Sequence, residues 1–214
     1  MKARLISAFQ LLFSIFCFGV GYAQVFDDWE ARPGISVEHE FGNGIEIEGK
    51  FRHYLFDDSN SYNRTRLGVK VDYDYTLAPW LEPGIDYRYK YNGGRGSHSI
   101  RYSVKTYQNL GNNIEMEYSL RLQQRLESDQ NPEYTLRNKV ELSYPLIGPL
   151  SIFVFAENYQ MIKAGFGFDA QKSGLGTEFE FDNANELGLK FDVKNKSDHQ
   201  DIGRFSINYT YTIP

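Results

Sequence analysis

The chain has 214 residues, with 23 Lys and Arg against 28 Asp and Glu, a formal net charge of −5, and one cysteine, Cys17. The acidic balance argues against nucleic acid as a partner, because nucleic-acid-binding proteins present a basic face. Mean hydropathy is −0.51, and no segment beyond the N-terminal region approaches a run of about 18 apolar residues, so a membrane protein built from helices is excluded.

The N-terminus has the parts of a secretory signal peptide. Lys2 and Arg4 precede an apolar run that ends at Val20, and small residues follow as far as Ala23. The apolar run is shorter than the roughly 20 residues that a membrane-spanning helix needs, which favours cleavage over a retained anchor. The sequence therefore predicts a signal peptide over residues 1–23, a mature chain without cysteine and a destination in a bacterial envelope.

Most of the remaining chain consists of runs in which apolar and polar residues alternate. In "NRTRLGVKVDYDY" (63–75), Leu67 and Val69 fall on one side, and Lys70 and Asp72 fall on the other. A period of two is typical of a strand with one apolar and one charged face. Eleven such runs follow one another with no helical period between them. The mature chain is therefore predicted to be a single all-β domain.

The connections between the runs alternate in length. Short turns such as "FGNG" around Asn43 and "PLIGP" around Ile147 interleave with longer polar loops such as "DDSNSY" from Asp57 and "ESDQNP" from Glu127. Many runs reach about 11 to 13 residues, which exceeds the usual soluble strand and is enough for a tilted strand to cross a bilayer. Short turns on one rim and long loops on the other are typical of outer-membrane β-barrels.

These features predict an antiparallel up-and-down transmembrane β-barrel over residues 24–214, in the bacterial outer membrane, with its apolar faces against lipid. The alternative is a soluble secreted sandwich or barrel. Aromatic residues near strand ends fit interfacial girdles: Tyr73, Tyr75, Tyr87, Tyr89, Tyr91, Tyr209 and Tyr211. If the last strand ends in the periplasm, one strand must precede the run that begins at Gly34, and "QVFDDWEAR" is the available segment. Twelve strands are therefore predicted, with ten as the alternative.

The charged faces follow an order along the chain. Ascending strands carry acids before bases, and descending strands carry bases before acids. Folding is expected to place cations in the outer half of the lumen and carboxylates in the periplasmic half. The predicted basic, pore-lining residues are Arg52, Arg64, Arg66, Arg88, Lys90, Arg101, Arg121, Arg125, Arg137 and Lys139. The predicted acidic, pore-lining residues are Glu46, Glu48, Asp72, Asp74, Glu82, Asp86, Glu115, Glu117 and Glu141.

Two interpretations of these charges stay open. Opposite charges on neighbouring strands stabilise a sheet when they pair, which would make the lumen a structural ladder. Rings of like charge select ions in pores, which would make the lumen a filter. The two interpretations are compatible with each other.

No catalytic residue, metal site or cofactor is predicted. His53 with Asp57, or His98 with Ser99, could lie together near one rim, as in some outer-membrane enzymes, but no set of nucleophile, base and orienting group is evident. "GFGFDA" (165–170) matches a dinucleotide fingerprint without the helix that such a site requires. The histidines are interpreted as polar rim residues, and "GFGFDA" belongs to the predicted loop that begins at Met161.

Three segments carry a resemblance to a known family. "TLRNKVELSYPL" from Thr135, "RLGVKVDYDYTLAPWLEPGIDYRY" from Arg66 and "SLRLQQRLE" from Ser119 resemble the outer-membrane β-barrel family catalogued as a domain of unknown function, DUF twenty-four-ninety. The resemblance spans most of the mature chain. It implies a barrel and implies no activity.

A shorter resemblance is to the small oligogalacturonate-specific porins, through the "FGNG" turn and "LEPGIDY" at the start of a strand. It implies a monomeric, twelve-stranded barrel whose basic lumen passes acidic oligosaccharides, although the many lumen carboxylates depart from a uniformly basic lining. The expected function is a narrow porin-like channel that favours small anionic solutes. The alternatives are a plugged barrel with a structural or surface-binding role and an outer-leaflet lipid-modifying enzyme.

Overall fold

Eleven strands form a closed barrel in the part of the chain that the structure describes. The computed structural model describes residues 28–41, 44–56, 64–92, 95–111, 113–127, 131–162, 166–196 and 199–213. The strands are β1 (Asp28–Phe41), β2 (Ile45–Phe56), β3 (Arg64–Asp74), β4 (Leu81–Asn92), β5 (Arg95–Gly111), β6 (Ile114–Glu127), β7 (Glu133–Ile147), β8 (Leu150–Ile162), β9 (Phe166–Asp182), β10 (Asn185–Lys196) and β11 (His199–Ile213). Among the described residues, no helix is long and apolar enough to span a membrane.

Each strand pairs antiparallel with its neighbours in sequence, and β1 pairs in parallel with β11 to close the barrel. The predicted closed all-β barrel is confirmed. The predicted twelve strands, and the alternative of ten, are wrong, because residues 28–32 of "QVFDDWEAR" continue into β1 instead of forming an earlier strand. With an odd number of strands, the first and the last run in the same direction, so their pairing has to be parallel.

Pro33 explains why the sequence pattern breaks within β1. Proline has no backbone N–H and leaves a gap in a ladder of hydrogen bonds. The register with β2 passes from Ala31 opposite Leu55 to Gly34 opposite Arg52, without pairs at the two residues between. On the other side Pro33 keeps its place opposite Ile207 of β11. The interruption is therefore local, and the strand continues through it.

The barrel has its apolar side chains outside and its charged side chains inside. Leu67 and Val154 are each 52% exposed on the outer wall, whereas Arg101 is 4% exposed and Asp192 is 2% exposed. Soluble proteins show the opposite distribution of charge. An apolar exterior around a polar lumen is the arrangement that a barrel needs in lipid. Several of the predicted girdle residues are exposed on this wall: Tyr73, Tyr75, Tyr87, Tyr91, Tyr209 and Tyr211.

The connections lie on two rims, named after the predicted turns and loops, although the strand bounds leave six residues between β3 and β4 and two between β4 and β5. The short-turn rim joins β1 to β2, β3 to β4, β5 to β6, β7 to β8 and β9 to β10, and the long-loop rim holds the other connections. Several predicted loops are partly strand, since β5 begins at Arg95, β9 at Phe166 and β11 at His199. The predicted signal peptide and the loop at 57–63 lie outside the described residues. The turn between β1 and β2 requires glycine at position 44. Gly44 has φ +82°, and a Cβ there would meet the carbonyl oxygen of Asp74.

A polar cluster holds the β1–β11 seam from inside. Ser36 Oγ lies 2.9 Å from Thr210 Oγ1. Asn208 Nδ2 donates to Ser36 Oγ at 3.0 Å and to Thr210 Oγ1 at 2.9 Å. Ser36 is fully buried. These hydrogen bonds satisfy polar groups that would otherwise be costly to bury at the seam.

Two phenylalanine rings lie against glycines on the inner wall. Phe153 and Phe155 of β8 face Gly176 and Gly174 of β9 in the register, and the two rings are 6.3 Å apart. A Cβ at Gly174 would meet Asp192 Cβ at 2.7 Å and the Phe155 ring at 2.8 Å. Only glycine leaves space for the rings at these positions, which fixes how β8 and β9 pack.

We predict that Gly174→Ala destabilises the barrel by about 1–3 kcal/mol, the usual cost of overpacking. The matched control is Gly167→Ala on the same strand, where a Cβ meets nothing within 4 Å and little change is expected. The measurement is the free energy of unfolding in urea, with refolding into lipid vesicles followed by the heat-dependent gel shift of barrels. Equal stability of the two variants would contradict the packing argument.

Candidate functional site: the charged lumen

The register places the predicted charged residues on the inner face of β2 to β7. Residues that pair across strands face the same side of a sheet, and Arg52 pairs with Arg66, Asp86 with Arg101, and Arg121 with Arg137. Arg64 occupies the register position opposite Tyr54. The acidic members lie toward the short-turn rim of their strands and most of the basic members toward the long-loop rim.

The acidic residues near the short-turn rim are paired with lysines. Lys70 Nζ lies 2.5 Å from Glu46 and 3.1 Å from Asp72. Lys105 Nζ lies 2.6 Å from Asp74 and 2.7 Å from Glu82. Opposite charges at these distances stabilise each other most where water is excluded. In this part of the lumen the charged residues therefore form the structural ladder of ion pairs that is one of the two interpretations of the sequence.

Two contacts cross the predicted boundary between the charge layers. Asp86, predicted in the acidic half, accepts a hydrogen bond from Arg101 Nε at 2.6 Å, and both side chains are buried. Lys139, predicted in the basic half, lies 2.8 Å from Glu141 and 3.8 Å from Glu117. Ion pairs therefore join the acidic layer to the basic layer where the two meet. Of the predicted acidic residues, Glu115 alone has no ion-pair partner within 4 Å among the described residues.

The inner faces of β8 to β11 carry further charged residues that the predicted set omits. Arg204 Nε donates to Asp192 Oδ1 at 2.6 Å. Arg137 pairs with Glu157 at 2.5 Å and donates to the Tyr159 hydroxyl at 2.9 Å. The signal was present in the sequence, because "NELGLKFDVKN" and "GRFSINYTYTI" alternate in the same way as the earlier runs.

Four of the predicted basic residues have no carboxylate partner among the described residues. Arg52, Arg66, Lys90 and Arg121 form no ion pair within 4 Å among the described residues. The Nε atoms of Arg52 and Arg121 are buried and donate to no described acceptor. A buried donor without a partner is costly, so these groups have strong capacity to bind an anion.

Tyr54 and Tyr159 add aromatic surface to the same part of the lumen. Arg66 donates to the Tyr54 hydroxyl at 3.0 Å, with its guanidinium carbon 4.6 Å from the ring centroid. Arg137 lies 4.6 Å from the Tyr159 centroid. Cation–π contacts of this kind hold a guanidinium in place without cancelling its charge. Arg66 forms no ion pair within 4 Å among the described residues, whereas Arg137 also pairs with Glu157.

These residues surround a cavity of about 250 Å³. Among the described residues that line it, Glu48 is the one carboxylate. The rest of its polar lining is basic or phenolic: Arg32, Lys50, Arg52, Tyr54, Arg66, Lys70, Arg88, Lys90, Arg137, Tyr159, Lys172 and Arg204. Such a cavity can bind carboxylate or phosphate groups through charge-assisted hydrogen bonds.

The histidines form no catalytic set among the described residues. His98 lies on the outer wall, where Nδ1 is 2.6 Å from the Tyr87 hydroxyl, whereas Ser99 is buried on the inner face. The suggested His98–Ser99 pair is wrong, because consecutive strand residues point to opposite faces. His53 Nδ1 lies 2.9 Å from Thr65 Oγ1, and Asp57 lies outside the described residues. Within the described chain, no group of three or more His, Cys, Asp or Glu could hold a metal.

Comparisons with known proteins identify the fold. Neither a scan of protein-family models nor a search of curated proteins finds a match, so the resemblance to the domain of unknown function has no further support. A solved structure of the KdgM porin superposes with a TM-score of 0.54 at 12% identity, over 81% of this chain and 93% of the porin. This barrel shares the KdgM porin fold. A structure titled "KdgM porin in complex with disordered oligogalacturonate" matches with the same values.

We predict that Asp192→Ala destabilises the barrel by about 3–5 kcal/mol, because Arg204 would keep a buried, unpaired charge. The control is Glu133→Ala, whose carboxylate is 39% exposed and 3.9 Å from Arg125, with an expected cost of about 1 kcal/mol or less. Urea titration in lipid vesicles measures both. Asp192→Ala with Arg204→Ala should recover part of the loss, and a double variant no better than the single one would contradict the explanation.

Proposed function

We propose that this chain is an outer-membrane diffusion channel that favours small anionic solutes, with acidic oligosaccharides as the best-supported class. The observation that carries the proposal is the cavity of about 250 Å³, whose lining is almost entirely basic or phenolic. A low-dielectric wall focuses the field of such charges and concentrates anions in the lumen. In this proposal residues 1–23 are removed on export, and lipid covers the apolar wall.

The division of ion pairs supports anion preference over cation preference. Toward the short-turn rim, Lys70, Lys105 and Lys139 neutralise most of the predicted carboxylates. In the cavity, by contrast, Arg52, Arg66 and Lys90 form no ion pair within 4 Å among the described residues. The acidic layer thus serves mainly as a ladder, and the basic layer supplies the charge that a solute meets.

Acidic oligosaccharides suit the chemistry of the cavity. Their carboxylates match guanidinium groups, which bind them with two parallel hydrogen bonds. Tyr54 and Tyr159 offer aromatic surface beside those groups. The likeness to the KdgM porin, one structure of which is titled as a complex with oligogalacturonate, supports the same class. Glu178, Glu180 and Glu186 extend the acidic face near the short-turn rim, where they would hasten release of an anion by repulsion.

A plugged barrel with a structural role is the second candidate. The observation in its favour is the density of ion pairs across the inner wall, such as Arg101 with Asp86 and Arg204 with Asp192, whose side chains are buried. Pairs of this kind rigidify a lumen whether or not solutes pass. Conductance distinguishes the two candidates.

We predict that the parent protein in planar bilayers is anion-selective in a salt gradient. Changing Arg52, Arg66, Lys90 and Arg121 together to Gln should lower the anion-to-cation permeability ratio by roughly tenfold, because these charges concentrate anions. The control exchanges Arg for Lys and Lys for Arg at the same positions, which keeps the charge and should keep the selectivity. Cation selectivity of the parent would overturn the proposal, and absence of conductance would favour the plugged barrel.

We further predict that a galacturonate trimer transiently blocks the current of the parent, since its carboxylates bind the cavity guanidiniums. A neutral galactose trimer of the same length serves as the control and should block far less. The quadruple Gln variant should lose the difference between the two sugars. Equal block by both sugars in the parent would contradict recognition of the acidic groups.

A further inference from the structure

A row of carboxamide side chains crosses the outer wall of the barrel. Asn138 of β7 pairs with Asn158 of β8, Asn158 with Gln171 of β9, and Gln171 with Asn195 of β10. Residues paired in register share a face, and the neighbouring Val140 and Val154 are exposed on the outer wall. On the other side of the barrel, the row Ile35, Phe51, Leu67 and Tyr91 is entirely apolar or aromatic. The amides therefore form a local exception to the apolar wall.

The row lies within the apolar band. On β7, Asn138 stands six residues from Tyr144 at the short-turn end, about 15 Å along the barrel axis for a strand tilted by about 40°. Tyr134 and Leu136 lie beyond it toward the long-loop rim. The apolar band of such barrels is about 25 Å tall. Asn138 is therefore at mid-depth, and the row rises from there to Asn195 near the long-loop end of β10.

Lipid chains cannot satisfy these amides. Asn138 Oδ1 accepts a hydrogen bond from the Tyr118 hydroxyl at 2.9 Å. Within the described chain, neither Asn158 nor Gln171 has a side-chain hydrogen-bond partner, and both are exposed. A polar group that faces hydrocarbon without a partner is strongly unfavourable. Some other surface with donors and acceptors must cover this part of the wall.

The chemistry of the patch favours a second copy of the same surface. A carboxamide both donates and accepts, so a cluster of them is complementary to itself, as a two-fold interface requires. Ala156 and Ser173 lie in the next register row, and small side chains let two walls approach closely. The outward neighbours Leu136, Val140 and Gln160 carry no charge, which argues against a charged lipid headgroup as the occupant.

We propose that two copies of this chain associate in the membrane through an amide patch formed by Asn138, Asn158, Gln171 and the adjoining Ala156 and Ser173. The dimer replaces the monomer expected from the porin resemblance. It places the lumens side by side and does not depend on what passes through them. Its two-fold axis runs along the membrane normal, near the β8–β9 pair.

The test uses single cysteines in the full chain. Cys17 is the one native cysteine, so in a Cys17→Ser background Asn158→Cys or Ser173→Cys provides a unique thiol. Leu67→Cys, on the opposite part of the wall and 52% exposed, is the matched control. A short bifunctional thiol reagent is added to native membranes. The expected result is a band of twice the monomer mass from the two patch variants and none above background from the control.

Other results overturn the proposal. A conjugate of a different mass would identify another protein as the occupant, and equal dimer bands from the control would indicate random collision. Absence of any band, with each thiol shown to react after solubilisation, would mean that lipid or water covers the patch. The heat-dependent gel shift establishes that each variant is folded, and conductance is scored separately, so failure of the dimer and failure of the channel are distinguishable.

A second arm removes the amides. Asn158→Leu with Gln171→Leu should abolish co-purification of two differently tagged copies while leaving the barrel folded. Gln124→Leu is the matched control, because Gln124 is an outward amide outside the patch that donates to Tyr134 at 3.1 Å. Co-purification that survives in the double variant, or that is lost equally in the control, would refute an interface built on the patch.

Discussion

Burial of charge inside a closed sheet is the constraint on which the rest of this structure depends. The outer wall is apolar, so the alternation of each strand sends its charged residues into the lumen. A buried carboxylate without a partner is strongly unfavourable. On the inner wall the carboxylates are compensated by ion pairs. Asp192 pairs with Arg204, and Lys105 pairs with two carboxylates at once. Stability and electrostatic character thus come from the same side chains.

Ion pairing is uneven along the lumen, so the two ends of the lumen differ in their unpaired charge. Carboxylates near the short-turn rim are mostly matched by lysine, whereas in the cavity Arg66 is held by Tyr54, and neither Arg66 nor Arg52 forms an ion pair within 4 Å among the described residues. Tyrosine fixes the position of a guanidinium without cancelling its charge. A cation held in this way contributes little to pairing within the protein and remains free to attract an anion.

The sequence predicted the barrel from strand periodicity, because lipid and lumen impose opposite preferences on alternate residues. The predicted strand number is wrong, because Pro33 interrupts the alternation of apolar and polar residues without ending β1. For the lumen, the order of acidic and basic residues along β2 to β7 could be predicted from the sequence. The contacts of Lys139 with Glu117 and Glu141 were not, because the stagger between strands and the reach of a long side chain decide which charges meet. The inward residues of β8 to β11 follow the same alternation, so the sequence is sufficient to predict them as well.

The parallel seam has a consequence for how the barrel assembles. Every other pairing in the described chain joins strands that are adjacent in sequence and can form as a local hairpin. The contact of Ser36 with Thr210 spans 174 residues, and closing so long a loop is entropically the most demanding event. Parallel pairing is also slightly less stable per residue than antiparallel pairing. We therefore expect the meander to grow hairpin by hairpin, with the sealing of β1 onto β11 as the last step.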